Sequence, residues 1–210
     1  MIESMSLGSD RLVWIDCEMT GLDPDKDELV EIAVVITDSD LNPVAEGIDI
    51  IIKANDEALA GMNEFVRNMH TTSGLITEIP NGKSLAEAEY EVMEYVLKHI
   101  PDEGKTPLAG NTIGTDRTFI AKYMPRLDAH LHYRSVDVSS IKELSRRWFP
   151  RVYFQAPEKA GGHRALADIL ESIRELDYYR KAVFVAAPGP NSEEAQAVAA
   201  GVVSEWASRM

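Results

Sequence analysis

Leu12-Val13-Trp14-Ile15-Asp16-Cys17-Glu18-Met19-Thr20-Gly21-Leu22 is the stretch on which the reading of this chain turns. Leu12 to Ile15 form an unbroken apolar run, the pattern of a strand buried on both faces, so Arg11 to Cys17 reads as a central strand. Side chains two apart on a strand point the same way. Asp16 and Glu18 therefore project two carboxylates from one face at the end of a buried run. Neighbouring anions in such a place repel each other and resist desolvation. A divalent cation resolves the conflict, and oxygen ligands favour hard ions such as Mg²⁺ or Mn²⁺. A lone Asp-x-Glu is also what a strand ending in solvent shows, so the pair needs support from elsewhere in the chain.

Outward from this strand, Thr20 to Pro24 reads as a turn, Leu29 to Thr37 as a second strand and Val44 to Ile52 as a third. Their short polar connections predict an antiparallel meander. A mainly helical stretch follows. Ser84-Leu85-Ala86-Glu87 fits a capping box, and Leu85, Ala88, Val92, Val96 and Ile100 recur at helical spacing before Pro101. Beyond it, Thr106 to Gly110 reads as a strand, Asp116 to Tyr123 as a helix and Tyr133 to Val138 as a strand. Ser140 to Trp148 reads as a helix with Ile141, Leu144 and Trp148 on one side. A long helix from near Arg164 has Leu166, Ile169, Leu170, Ile173 and Leu176 as its buried stripe. Pro188-Gly189-Pro190-Asn191 breaks the chain before an Ala-rich, acidic remainder. The expected class is α/β, a mixed sheet covered by helices. The expected division is a disordered leader over 1–10, a domain over 11–185 and a tail over 186–210, either a short helix or mobile.

The 210 residues, 45% of them hydrophobic, suit one domain with a sizeable core. No apolar run approaches the ~20 residues needed to cross a bilayer, and Met1 to Met5 lacks the features of a secretory signal. Cys17 is the only cysteine, so no internal disulfide forms, which fits a reducing compartment and an expected cytoplasmic location. Thirty-five acids against twenty-one Lys and Arg give a net charge of −14. Proteins that track long nucleic acid carry a basic stripe, because phosphate neutralisation supplies most of their affinity. An acidic surface repels a long polyanion. A nucleic-acid substrate would have to be short and held in a local pocket.

Two further segments support the Asp-x-Glu pair. Gly110-Asn111-Thr112-Ile113-Gly114-Thr115-Asp116 follows a strand and opens a helix. Asp116 there reads either as an N-cap or as a third acid, and the glycines permit close approach of another backbone or a ligand. The other segment is Gly161-Gly162-His163-Arg164-Ala165-Leu166-Ala167-Asp168. On one continuous helix, His163 and Asp168 would sit about 140° apart and diverge. They converge if His163 precedes the helix and Asp168 lies in its first turns, an arrangement that Gly161-Gly162 permits as a hinge.

Asp16-x-Glu18, then Asp116, then His163-x4-Asp168, in this order, resembles the DEDDh exonucleases. Four longer blocks resemble the oligoribonuclease branch of that family: Trp14 to Leu22, Gly110 to Arg117, Tyr133 to Ser139 and His163 to Asp168. The resemblance covers about residues 11–182. It implies an RNase H-like fold with a mixed five-stranded sheet, a homodimer, and 3′→5′ hydrolysis of very short RNA to 5′-mononucleotides. It also implies that Asp16, Glu18, Asp116 and Asp168 hold two Mg²⁺ or Mn²⁺ ions while His163 takes a proton from water. Histidine suits that task because its charge changes nearest neutral pH.

For substrate length, the resemblance makes Leu22 an apolar wedge between the two terminal bases and Phe65 a stacking residue, a contact that tolerates any base. Plain core packing is the bland alternative for both. His70, Thr112, Arg134 and Ser139 match residues that cap the 5′ phosphate of a dinucleotide, and Tyr133 one that reaches into the partner subunit's site. Arg134 suits the task through its planar fork. The expected substrates are single-stranded RNAs of two to seven nucleotides, dinucleotides favoured, with no long nucleic acid and no membrane as partner. A DNA-proofreading exonuclease, a non-catalytic scaffold and a small-nucleotide phosphatase stay open, as does the choice between RNA fragments and a linear signalling dinucleotide.

Overall fold

The computed structural model describes residues 10–159 and 161–209. The expected leader lies outside them, apart from the exposed turn residue Asp10. In chain order the elements are β1 (Leu12–Met19), β2 (Leu29–Thr37), β3 (Ile48–Ile51), α1 (Asp56–Gly61), α2 (Glu64–Thr72), α3 (Leu75–Glu78), α4 (Leu85–His99), β4 (Pro107–Gly110), α5 (Gly114–Tyr123), α6 (Pro125–His130), β5 (His132–Asp137), α7 (Val138–Trp148), α8 (Pro150–Tyr153), α9 (Ala165–Ala182) and α10 (Ser192–Ala207). The strands form one sheet in the order β3-β2-β1-β4-β5. The first three make the antiparallel meander, and β4 and β5 run parallel to β1 and to each other. This is the mixed five-stranded, helix-flanked sheet the sequence predicts.

Alternation along β1 divides the core. Val13, Ile15, Cys17 and Met19 face one layer, packed with Ala88, Val92 and Val96 of α4 and Phe119 and Ile120 of α5. Trp14 faces the other, against Ala165, Ile169 and Ile173 of α9. The buried Trp14 indole donates to Thr37 Oγ1 at 3.0 Å, so no polar atom is stranded there. A third cluster, with Val66, Leu75 and Ile79, packs α2 and α3 against Val30. The Ser84–Glu87 capping box forms as predicted. Gly110, at the end of β4, has no room for a side chain: a Cβ there would lie 3.0 Å from Ile15 O of β1. Gly114 faces open space.

Several expectations need correction. Strand β3 begins at Ile48 and not at Val44. Pro43 forms an isolated bridge with Thr37 and the Val44 N–H donates to Ile36 O at 2.9 Å, but the chain then leaves the ladder until Ile48. On α9, Leu170 is 50% exposed. The helix docks through Ala165, Ile169 and Ile173, and Leu170 stands about 100° round from Ile169. On α7, Leu144 and Trp148 face outward and the buried positions are Val138 and Ser145. The tail contains a sixteen-residue helix, α10, capped by Asn191, with no buried side chain among its described residues. No helix among the described residues is long and apolar enough to cross a membrane.

Candidate active site

The C-terminal end of β1 collects side chains from three helical elements. Asp16 and Glu18 share the strand face that looks toward α9, as the two-residue period requires. The structure begins α5 at Gly114, with no side-chain cap, so Asp116 is not an N-cap. It lies buried in the first turn, and its Oδ1 accepts the Cys17 N–H at 3.0 Å, drawing the third carboxylate against the strand between the first two. His163 lies before α9, at φ +47°, and Asp168 in the helix's first turn. One ligand atom each from Glu18, His163 and Asp168 lie within 4.8 Å of one another, so residues far apart in the chain converge.

Electrostatics agree with geometry. Burial, then Asp116, Glu18 and Asp168 in turn, push the Asp16 carboxyl well above the usual carboxylate range. Burial followed by Glu31 raises Glu18 to about 8. Burial raises Asp116 to about 7 against the opposing Cys17 N–H bond, and burial followed by Glu171 raises Asp168. His70 adds to the electron-rich character. Its Nε2 lies 2.8 Å from Met19 O, so that nitrogen is the one that donates. The unpartnered Nδ1 lone pair then faces Glu18 Oε2 at 3.8 Å. A set of oxygen donors that ionise reluctantly, with a neutral imidazole behind them, fits a hard divalent cation.

A pH dependence follows. Glu18 and Asp116 hold their protons to about 8 and about 7 in the fold, against ordinary values of 4.5 and 3.8. The folded state thus binds more protons than the unfolded chain across that window, so stability falls as pH rises through it. Metal-free protein is expected to melt several degrees lower at about pH 8.5 than at about pH 5. Saturating Mg²⁺ or Mn²⁺ is expected to flatten the slope, because a cation favours the ionised carboxylates. A flat profile in chelator, followed by calorimetry, would contradict this.

A second cluster surrounds Asp137, which caps α7. Its Oδ1 accepts the Thr112 N–H at 3.0 Å, the Ser139 N–H at 3.1 Å and the Ser139 hydroxyl at 2.7 Å. Its Oδ2 accepts the Ser140 hydroxyl at 2.8 Å. Burial alone would raise the Asp137 carboxyl, but bonds from Ser139, Ser140 and the Thr112 N–H outweigh it and hold it below the usual range. Thr112, at φ +54°, is thereby tied to Ser139. Arg134 is exposed, with its guanidinium carbon 5.4 Å from the centroid of the Tyr133 ring, itself 74% exposed. Arg117 donates to His132 O at 2.9 Å, fixing the start of β5 beneath them. Leu22 and Phe65 are 76% and 74% exposed, which removes core packing as their explanation. His70, also expected at the cap, is fully buried, with its Nδ1 3.8 Å from Glu18 Oε2. Asp137 lies outside the site residues the sequence points to, although Asp137-Val138-Ser139-Ser140 at a strand-to-helix junction is a capping signal.

The chain belongs to the exonuclease family, which matches residues 13–176. Its kin within that family are oligoribonucleases. The oligoribonuclease of Leifsonia xyli subsp. xyli is 72% identical over 206 residues, 98% of this chain and 100% of that one. That of Rhodococcus jostii is 60% identical over 190 residues, 90% of this chain and 96% of its own. That of Streptomyces avermitilis is 58% identical over 192 residues, 91% and 96%. Among solved structures, a zinc-bound complex of E. coli exonuclease I with single-stranded DNA superposes with a TM-score of 0.66 at 15% identity, covering 83% of this chain. Exonuclease I from Methylocaldum szegediense gives 0.58 at 20% identity, covering 82%. This chain spans 41% of the length of either exonuclease I chain, and the likeness is one of fold.

Proposed function

We propose that the protein is a 3′→5′ exoribonuclease that clears very short RNA, dinucleotides above all, releasing 5′-mononucleotides. The observation that carries this reading is the convergence of Glu18, His163 and Asp168 within 4.8 Å, with Asp16 and Asp116 in the same acidic neighbourhood. In it, Asp16, Glu18, Asp116 and Asp168 are the residues that would hold two divalent cations, Mg²⁺ or Mn²⁺. When bound, such ions supply Lewis acidity at the scissile phosphate. His163, exposed beside the carboxylates, takes a proton from the attacking water. Water oxygen bonds to phosphorus, the bond to the 3′ oxygen breaks, and that oxygen takes up a proton to leave as a hydroxyl. Leu22 and Phe65 present apolar surface for bases, and stacking on Phe65 is indifferent to sequence.

Thr112, Arg134 and Ser139 form the 5′-phosphate cap in this reading. The Asp137 network supports it by fixing Thr112 and Ser139 together, and the exposed Arg134 fork supplies the charge-assisted donors. His70, whose ring proton is committed to Met19 O, acts at the Glu18 end of the site. A capped second phosphate closes the far end of the pocket, which agrees with a net charge of −14 that disfavours long polyanions. A homodimer, with Tyr133 reaching toward the partner's site, is supported by exposed apolar side chains on β5, α7, α8 and their borders: Tyr133, Leu144, Trp148, Phe149 and Phe154. A cytoplasmic location accords with the single free cysteine.

Product analysis on 5′-labelled RNAs of two to seven nucleotides tests the length preference. The parent protein is expected to hydrolyse the phosphorylated dinucleotide fastest. Arg134→Ala is expected to raise KM for that substrate by about ten- to a hundredfold, equivalent to a charge-assisted hydrogen bond or two. It should narrow the gap between the dinucleotide and its 5′-dephosphorylated form. Equal rates on both forms in the parent protein would remove the phosphate cap, and faster hydrolysis of long single-stranded DNA would replace the reading altogether.

A further inference from the structure

The loop carrying His163 is anchored by a residue on another strand. Helix α9 opens after Arg164, which offers its first turn no side-chain cap. His163 holds a left-handed backbone conformation that non-glycine side chains adopt rarely. On its N-terminal side, Gly161 sits at φ +64°, and a Cβ added at Gly161 or Gly162 would meet no neighbour. What pins the segment is Glu31, a fully buried acid in β2, directly opposite Glu18 in the sheet register. One Glu31 oxygen accepts Arg164 Nε at 2.8 Å, and the other accepts the Ala165 N–H at 3.0 Å. The same guanidinium donates to Glu78 of α3 at 2.9 Å. The far side of the loop is tied independently, by Lys159 on Glu175 at 2.7 Å.

We propose that Glu31 is a positioning residue for hydrolysis: through Arg164 and the Ala165 amide it caps α9 from within the sheet and fixes the imidazole of His163 over the carboxylates. Both of its oxygens are engaged by the loop, and its charge also bears on Glu18 across the register, so loop order must be read beside the rate. A buried carboxylate with two charge-assisted or backbone partners is a rigid anchor. Small misplacement of a catalytic group is costly in rate, up to about a hundredfold per ångström. The proposal rests on the reading of His163 as the proton acceptor.

The test is Glu31→Gln, which keeps shape and one acceptor oxygen but loses the charge and the second acceptor. Its kcat on a 5′-phosphorylated dinucleotide is expected to fall about ten- to a hundredfold, with KM within about twofold. In the metal-free protein, amide exchange at Ala165 to Asp168 is expected to quicken at least about tenfold while β1 amides stay protected. Arg164→Lys, which keeps charge but loses the fork, should move both readouts the same way. The double variant should be no worse than the more impaired single one, because both act through one link. A kcat for Glu31→Gln within about twofold of the parent, a loss confined to KM, unchanged exchange, or multiplicative losses in the double variant would each overturn the proposal. If Glu31→Gln does not fold, Arg164→Lys decides by the same kcat and exchange measurements. His163→Ala separates the two layers: activity retained there removes the proton-acceptor reading itself. An inactive His163→Ala beside a fully active Glu31→Gln removes only the positioning role.

Discussion

Asp116→Asn is expected to cost about 10³- to 10⁴-fold in kcat/KM on a dinucleotide while leaving the fold in place. The amide oxygen can still accept the Cys17 N–H that Asp116 Oδ1 accepts now, so the tie between α5 and β1 survives. What disappears is one negative charge among the four carboxylates, and with it part of the affinity for a divalent cation. Stability should move the opposite way. Burial raises the Asp116 carboxyl to about 7, so its ionised form is a burden on the metal-free fold above that pH. The Asn variant should melt at the parental temperature or higher at about pH 8, and Mn²⁺ titration followed by calorimetry should show weakened binding. Parental turnover in a folded Asp116→Asn protein would sink the four-carboxylate reading.

His163→Ala carries the second large effect, a fall in kcat of about 10²- to 10³-fold, the usual contribution of a general base. The 4.8 Å grouping with Glu18 and Asp168 would also suit a metal ligand, and two measurements tell these roles apart. A base that is not a ligand leaves Mn²⁺ affinity within about threefold of the parent. Because His163 is exposed, free imidazole can enter the space it vacates and should restore part of the rate. A large loss of metal affinity without imidazole rescue would make His163 a ligand.

The sequence was legible wherever a local rule and a tertiary contact ask for the same residue. The apolar run from Leu12 to Ile15 marked β1 because a central strand is buried on both faces. Ser84 and Glu87 marked the start of α4 because they satisfy each other's backbone donors. His163 and Asp168 converge because the helix begins between them, as the preceding glycines allowed.

Legibility failed where a side chain serves a distant partner. Asp116 looks like an N-cap in one dimension, but its acceptor is spent on a backbone donor 99 positions away. Glu31 sits inside Leu29-Val30-Glu31-Ile32-Ala33-Val34-Val35-Ile36-Thr37, and no local pattern says that its charge is answered by Arg164. A lone acid in an otherwise apolar, wholly buried strand was the available signal. Leu144 and Trp148 had the spacing of a buried stripe and yet face outward, because periodicity reports an apolar face and is silent on what covers it.

Asp116 meeting Cys17 across 99 positions, with His163 and Asp168 arriving only at α9, has a consequence for the order in which the protein is made. A chain under synthesis carries Asp16 and Glu18 from its first tenth onward. At that stage it lacks Asp116 and Asp168, two of the four acids proposed to hold the cations, and His163, the proposed proton acceptor. In the proposed reading the hydrolytic set is therefore complete only after about four-fifths of the chain has been made, and a prematurely terminated fragment is expected to be inactive even on a dinucleotide.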